Sequence, residues 1–322
     1  MNAPVTPAPS SDAGPPITTS AAEWRRNPER GSRTLLRLMS YLSLRLGRRT
    51  TRILLYGIAI YFFLFAPKAR TCTRDYLRRV LGREPGAGDR FRLIRNFASS
   101  IHDRLYLLAE QYHLFNVTMD GEAMMQELIS QSGGAVLLGA HVGSFEMLRW
   151  IGERQPGLSI SITMYEENAR KLNDILAAIA PKNPPDVIAV GHLDAMLRIR
   201  DRLDRGGLVG MLADRTFGDE ATLPVTFLGA TAHFPIGPMR AAAMMGCRVV
   251  FMLGLYRGGN RYHVVFEPLA DFTHTARAQR QAAIEAAITR FAALLEQHCR
   301  RDPYNWFNFF DFWRIPARAA TQ

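Results

Sequence analysis

Short, continuous apolar runs alternate with helix-patterned segments through the second half of the chain, and this rhythm constrains the fold most. Four runs have the length of a strand: AVLLGA (135–140), SISITM (159–164), DVIAV (186–190) and GLVGML (207–212). AVLLGA is unbroken and apolar, as is typical of a parallel strand that is buried on both faces, and helix-patterned segments separate the four runs. We therefore expect an α/β fold, a mostly parallel sheet covered by helices, with functional side chains at the carboxyl ends of its strands.

The remaining pattern extends this prediction in both directions. Asp89 to Tyr112 has a single apolar stripe at helical spacing, and helices are also expected at 145–153, 168–180, 193–204, 237–246 and 276–300. Further strands are expected at 248–255 and 262–268, after a turn-rich loop that runs from Asp214 to about Pro235.

The positive charge of the chain is concentrated near its N-terminus. The whole chain of 322 residues has a net charge of +11, whereas residues 21–110 alone carry 19 Lys and Arg against seven Asp and Glu. An excess of this kind indicates an anionic partner surface, either nucleic acid or membrane. We divide the chain into a disordered, Pro/Ser/Thr-rich tail (1–22), a basic helical region that associates with a membrane (23–115) and an α/β domain (116–315).

An uncharged apolar run, ILLYGIAIYFFLFA (53–66), lies inside the basic region with arginines on both sides. At fourteen residues it is shorter than the roughly 20 that a transmembrane helix needs. Two interpretations stay open: a helix at the anionic surface of a membrane, and a helical hairpin packed on the main domain with solvated arginines. Nucleic acid is not expected as a partner, because the aromatic residues of this region are not interleaved with basic ones.

The segment GGAVLLGAHVGSFEMLRW places His141 one residue after a buried strand and Glu146 at the start of the next helix. Five residues along a continuous helix would put these side chains on different faces, so they meet only if Val142–Ser144 form a turn. In that geometry the Glu146 carboxylate orients the imidazole, and His141 becomes a general base. No GxSxG nucleophile is present, so the attacking group would be a hydroxyl or amine of the substrate.

A second cluster follows the strand GLVGML. Asp214 and Arg215 stand where an α/β sheet places its site residues, and Arg215 would bind a phosphate or a developing oxyanion, or else fasten a loop by pairing with Asp214. Phe227 and Phe234 would line an acyl tunnel or pack as ordinary loop residues. Arg240 is a weaker candidate in the first turn of the next helix.

GAHVGSFEMLRW, ADRTFG, VTFLGATAHFPIGP and the aromatic PYNWFNFFDFW together resemble the bacterial lipid A late acyltransferases of the lysophospholipid acyltransferase superfamily, over roughly residues 30–315. The chain is especially similar to members found beside aryl polyene and related acyl-lipid genes. The resemblance implies acyl transfer from an acyl carrier protein thioester to a hydroxyl of a membrane lipid, at the cytoplasmic face of the inner membrane. It makes His141 and Glu146 the catalytic pair and adds Asp214, Arg215 and Arg149 as substrate-binding residues, with Arg215 in place of the family's glutamine.

Two other functions use the same features. A hydrolase would use the histidine to activate water, and a non-catalytic lipid-binding protein would use only the basic helical region. No cofactor is expected, and no metal site is predicted, because the histidines and the three cysteines lack ligand spacing. The aromatic tail is expected to pack on the core rather than to form a membrane-interface belt.

Overall fold

The computed structural model describes residues 41–131, 133–154, 158–166, 169, 176, 184–191, 193–216 and 220–314. The predicted tail (1–22) and most of the predicted helix 168–180 lie outside these residues.

Residues 41–46, at the start of the described part, are helical; three longer helices follow, and then strands alternate with helices. The helices are α1 (Arg48–Phe65), α2 (Pro67–Leu81), α3 (Ala87–Leu108), α4 (Glu122–Ser130), α5 (Met147–Arg154), α6 (Leu193–Asp204), α7 (Gly237–Met245) and α8 (Arg280–Arg301). The strands are β1 (Asn116–Asp120), β2 (Ala135–Gly139), β3 (Ile160–Tyr165), β4 (Asp186–Val190), β5 (Leu208–Leu212), β6 (Thr222–Phe227), β7 (Ala230–Pro235), β8 (Arg248–Tyr256) and β9 (Arg261–Asp271).

Seven of these strands form one sheet in the order β1-β9-β8-β2-β5-β3-β4. The five strands from β8 to β4 are mutually parallel, while β9 runs antiparallel to β8 and β1 is parallel to β9. The predicted α/β class with a mostly parallel sheet is therefore confirmed.

Helices cover both faces of the sheet. Neighbouring side chains of a strand point to opposite faces, so each central strand contacts both helical layers. In β2, Val136 and Leu138 belong to the cluster that contains Phe291 of α8. Ala135 and Leu137 belong to a second cluster, which contains Met147 and Leu148 of α5. The strand is buried along its whole length, which explains why its sequence is apolar without alternation.

The prediction of a loop between Asp214 and Pro235 is partly wrong. It contains a hairpin in which β6 and β7 pair antiparallel around Leu228 and Gly229. Both turn residues have positive φ, 51° and 79°, as a two-residue turn of type I′ requires. The hairpin was missed because the segment that forms β6 contains Pro224, and proline within a run argues against a strand.

Helix α1 is fastened to the α/β part by a buried ion pair. Arg48 donates from Nε and Nη2 to the two carboxylate oxygens of Asp103, both at 2.7 Å, and Tyr262 donates its hydroxyl to the same carboxylate at 2.9 Å. Removal of one partner would leave a buried, uncompensated charge. The pair therefore fixes where α1 lies on α3 and β9.

The other side of α1 is apolar and exposed, with the large side chains Ile53, Leu54, Tyr56, Ile60, Tyr61, Phe62, Leu64 and Phe65 accessible to solvent. Within the described residues, no single helix has the length and hydropathy needed to cross a bilayer. Helix α1 taken together with Ala69–Leu81 reaches them, but the two segments meet at a 95° bend.

Candidate active site

The site lies at the carboxyl ends of two adjacent parallel strands. Strands β2 and β5 pair with Gly139 opposite Leu212, and the ladder continues where the Ala213 N–H donates to the Gly139 carbonyl at 2.9 Å. His141 and Asp214 each follow their strand by two residues. The register of the sheet therefore brings them side by side.

Asp214 holds His141 at two points. The Asp214 Oδ1 atom lies 2.8 Å from His141 Nδ1, and Oδ2 accepts the backbone N–H of His141 at 3.0 Å. Trp306 donates its indole N–H to Oδ2 at 2.9 Å. Because the carboxylate only accepts hydrogen bonds, the proton of the neutral imidazole is assigned to Nδ1, which leaves Nε2 as the acceptor.

The electrostatics keep the imidazole neutral and the carboxylate charged. Burial and the charge of Arg215 lower the pKa of His141, and the attraction of Asp214 offsets only part of this change. Burial alone would raise the pKa of Asp214, but His141, Arg215 and the Trp306 N–H together hold it well below its usual range. The His141 side chain remains 32% exposed while that of Asp214 is 1% exposed, so the base is accessible and its orienting group is not.

The predicted contact between His141 and Glu146 is wrong. Helix α5 begins at Met147, so Glu146 lies in the turn before it. The Glu146 Oε1 atom is 2.5 Å from Nε of Arg104 on α3, whereas Asp214 occupies Nδ1 of the imidazole. Val142 and Gly143, which were predicted to lie in a turn, instead form single β-bridges to Trp306 and Gly254, and the turn falls on Phe145 and Glu146. This arrangement places the Glu146 carboxylate on an arginine.

The segment that follows His141, residues 142–144, is fixed by its contacts with β8 and with the aromatic tail. Gly143 has φ 61°, and a Cβ atom there would lie 2.0 Å from the Gly254 carbonyl oxygen, so only glycine fits. Its N–H donates to the Asn305 carbonyl, and Phe307 donates its N–H to the carbonyl of His141, both at 2.9 Å. The tail was predicted to pack on the core, and Trp306 is 1% exposed. The tail also stabilises the segment from His141 to Gly143.

Arg215 lies beside the pair without a carboxylate partner among the described residues. Its Nη2 donates to the Phe307 carbonyl at 2.9 Å, and its guanidinium lies 5.2 Å from the centre of the Phe310 ring. Its Nε is buried and has no hydrogen-bond acceptor in the described structure. Burial lowers the pKa of Arg215 while Asp214 raises it, but an arginine stays charged at neutral pH. The predicted loop-fastening ion pair with Asp214 is thus not formed, and a cationic donor stays available.

The other predicted residues are spread more widely. Phe227 and Phe234 are buried, with ring centres 5.5 Å apart, so both belong to the core. Phe234 also lines a small apolar cavity with Leu138, Ala213, Pro235, Met239, Ile288 and Phe291. Arg240 is exposed on the first turn of α7, and no contact in the described part joins its side chain to His141. The side chain of Arg149 lies outside the described residues.

A neutral histidine oriented by a buried carboxylate, at the strand ends of an α/β sheet, is an arrangement that can accept a proton from a substrate. The sequence model of a protein family described as bacterial lipid A biosynthesis acyltransferase matches residues 34–315. The chain belongs to this family, which indicates acyl transfer from an acyl donor to a lipid acceptor. No curated protein sequence matches the chain significantly.

Proposed function

We propose that the protein transfers a fatty acyl group from an acyl carrier protein thioester to a hydroxyl group of a membrane lipid, with His141 as the general base. The observation that carries this proposal is the accessible imidazole whose Nδ1 is held by Asp214 at 2.8 Å. No residue in the described part of the chain bonds to its Nε2. That atom is therefore free to accept a proton from a substrate.

The chemical steps follow from this protonation state. His141 Nε2 takes the acceptor's hydroxyl proton as the oxygen attacks the thioester carbonyl, and Asp214 stabilises the imidazolium that forms. The tetrahedral oxyanion then collapses and breaks the carbon–sulfur bond. The thiolate leaves with the proton from Nε2, which restores the neutral base. Arg215 is the candidate donor to the oxyanion, since its buried Nε–H has no other described acceptor.

The test uses labelled acyl carrier protein with and without membrane lipid extract. We expect the label to enter a lipid ester only when lipid is supplied. Release of free fatty acid at the same rate in both samples would show a hydrolase instead. Mass spectrometry of lipids from cells with and without the gene would then identify the acceptor. The expected likeness to members found beside aryl polyene genes stays a prediction.

The pH dependence of transfer should reflect the environment of His141. Because the pKa of His141 is lowered, the base stays unprotonated to a lower pH than an ordinary histidine, whose pKa is about 6.5. We expect kcat/KM to be flat near neutral pH and to fall on the acid side with a midpoint below that value. A midpoint at or above about 6.5 would contradict the assigned environment.

We also propose that α1 contacts the cytoplasmic surface of the inner membrane. Its exposed apolar side chains form one large accessible patch, and such patches mark protein or membrane contacts. Arginines border it: the guanidinium of Arg90 lies 5.9 Å from the Phe63 ring centre and that of Arg95 lies 6.0 Å from the Tyr56 ring centre. Apolar insertion flanked by cations is the arrangement that favours an anionic lipid surface.

Flotation with liposomes measures this contact. We expect more protein to float with anionic than with neutral vesicles, and Ile53→Asp to reduce the floating fraction severalfold, since a charge at the patch opposes insertion. Leu197→Asp is the matched control, because Leu197 on α6 is 72% exposed and Ile53 is 71% exposed. Equal loss in both variants would contradict the role of the apolar patch on α1. Equal binding to both vesicle types would contradict the preference for anionic lipid.

A further inference from the structure

Arg104 of α3 is a charged residue at the site that neither the HxxxxE motif nor the strand pattern indicated. Its Nε is 2.5 Å from Glu146 Oε1, and the side chains of the two residues are 32% and 12% exposed. The Nε–H group is buried and is not aligned with any described acceptor, so the contact is an ion pair rather than a directed hydrogen bond. The pair joins the N-terminal helical region to the catalytic turn.

The ion pair explains why the carboxylate of the motif is absent from the imidazole. A largely buried carboxylate needs a partner of opposite charge. The partner that the structure provides is the Arg104 guanidinium, which carries a permanent charge. Asp214, which is supported by Trp306 and the His141 N–H, already holds Nδ1.

We propose that Arg104 is a positioning residue of the site: it takes Glu146 as its ion-pair partner and thereby leaves Asp214 as the single carboxylate that orients His141. The proposal deepens the acyl-transfer function and rests on it for its catalytic meaning. Its geometric content, the division of two carboxylates between an arginine and a histidine, stands independently.

This arrangement has an electrostatic consequence with a definite sign. The charged groups that act on the imidazole are Asp214 and Arg215 after β5 and Arg104 from α3. Glu146, from the turn before α5, pairs with Arg104. The positive charge of Arg104 contributes to lowering the pKa of His141. Arg104→Gln removes that charge and releases the Glu146 carboxylate, and both changes favour the imidazolium. Glu146→Gln leaves Arg104 without its counter-charge and has the opposite effect.

The experiment is a titration of ¹⁵N-histidine-labelled, full-length protein by NMR, with the His141 signal identified by its loss in His141→Ala. We expect the titration of His141 to move to higher pH in Arg104→Gln and to lower pH in Glu146→Gln. The double variant should return close to wild type. Arg104→Lys, which keeps the charge, should move the titration less than Arg104→Gln.

The acid limb of kcat/KM should move in the same directions as the NMR titration. A merely structural role for Arg104 would change stability without this pair of opposite shifts. An unchanged or downward titration in Arg104→Gln, or an upward one in Glu146→Gln, overturns the inference. The double variant, which leaves no unpaired charge, guards against misfolding of either single variant. The NMR titration needs no substrate, so its result is independent of the acyl-transfer assay. The inference about Arg104 can therefore fail while acyl transfer is observed, and it can hold while acyl transfer is not.

Discussion

His141→Ala is expected to lower the rate of acyl transfer by about 100- to 10,000-fold, the usual contribution of a general base. The variant loses Nε2, the atom that takes the acceptor's proton. The loop should keep its form, because the backbone N–H of residue 141 still donates to Asp214 Oδ2 and its carbonyl still accepts from Phe307. Initial rates with labelled acyl carrier protein and lipid acceptor measure the effect.

The control for this variant is His274→Ala, which changes an exposed histidine outside the site and should transfer at the wild-type rate. Thermal unfolding of both variants would establish that they are folded. If His141→Ala retained transfer within a few-fold of wild type while folded, the base would have to be another group. The proposed mechanism would then be abandoned.

Asp214→Asn is expected to cost roughly 100- to 10,000-fold in kcat, because an amide at this position no longer stabilises the imidazolium or fixes the tautomer. The asparagine side chain is nearly isosteric with the aspartate, and its oxygen can still accept from the Trp306 indole. Loss of activity would therefore report the orientation and charge of the pair rather than a collapse of the loop.

Glu146→Gln is the matched comparison, since it makes the same chemical change in the other carboxylate near the base. We expect it to cost no more than about tenfold, because Glu146 contacts Arg104 and acts on the imidazole only through the local field. The two kcat values, measured side by side at one pH, show whether Asp214 or Glu146 orients the His141 imidazole. A larger loss in Glu146→Gln than in Asp214→Asn would return the orienting role to the HxxxxE carboxylate.

The strands that carry the site were predictable because each is a short apolar run bounded by turns. The run 186–190 was placed on the residues that β4 occupies, and β2 and β5 were placed to within one residue at each end. Four elements were missed: β1, α4 and the two strands of the β6–β7 hairpin. Strand β1 alternates between exposed and half-buried residues and so lacks a continuous apolar run, which is the signal that found the others.

The candidate residues were found wherever their signal was local. His141 and Asp214 each stand just after a predicted apolar strand, in GAH and LAD, and this placement indicated both residues. Arg104 had no such signal, since it is one of many arginines in a basic helical region. The hydrogen bond from Trp306 to Asp214 could not be predicted either, because a dense group of aromatic residues predicts burial but not the partner of one indole.

By itself the sequence determined the class of fold, the position of a histidine at a strand end, and the need for a turn directly after it, because these depend on side-chain periodicity and on the flexibility of glycine. Only the tertiary structure decided which carboxylate orients the base. Strand order is not chain order: β5 lies next to β2 although β3 and β4 intervene in the chain, and this adjacency brings Asp214 to His141 across 73 residues. Glu146, only five residues from His141, instead forms an ion pair with Arg104 of α3.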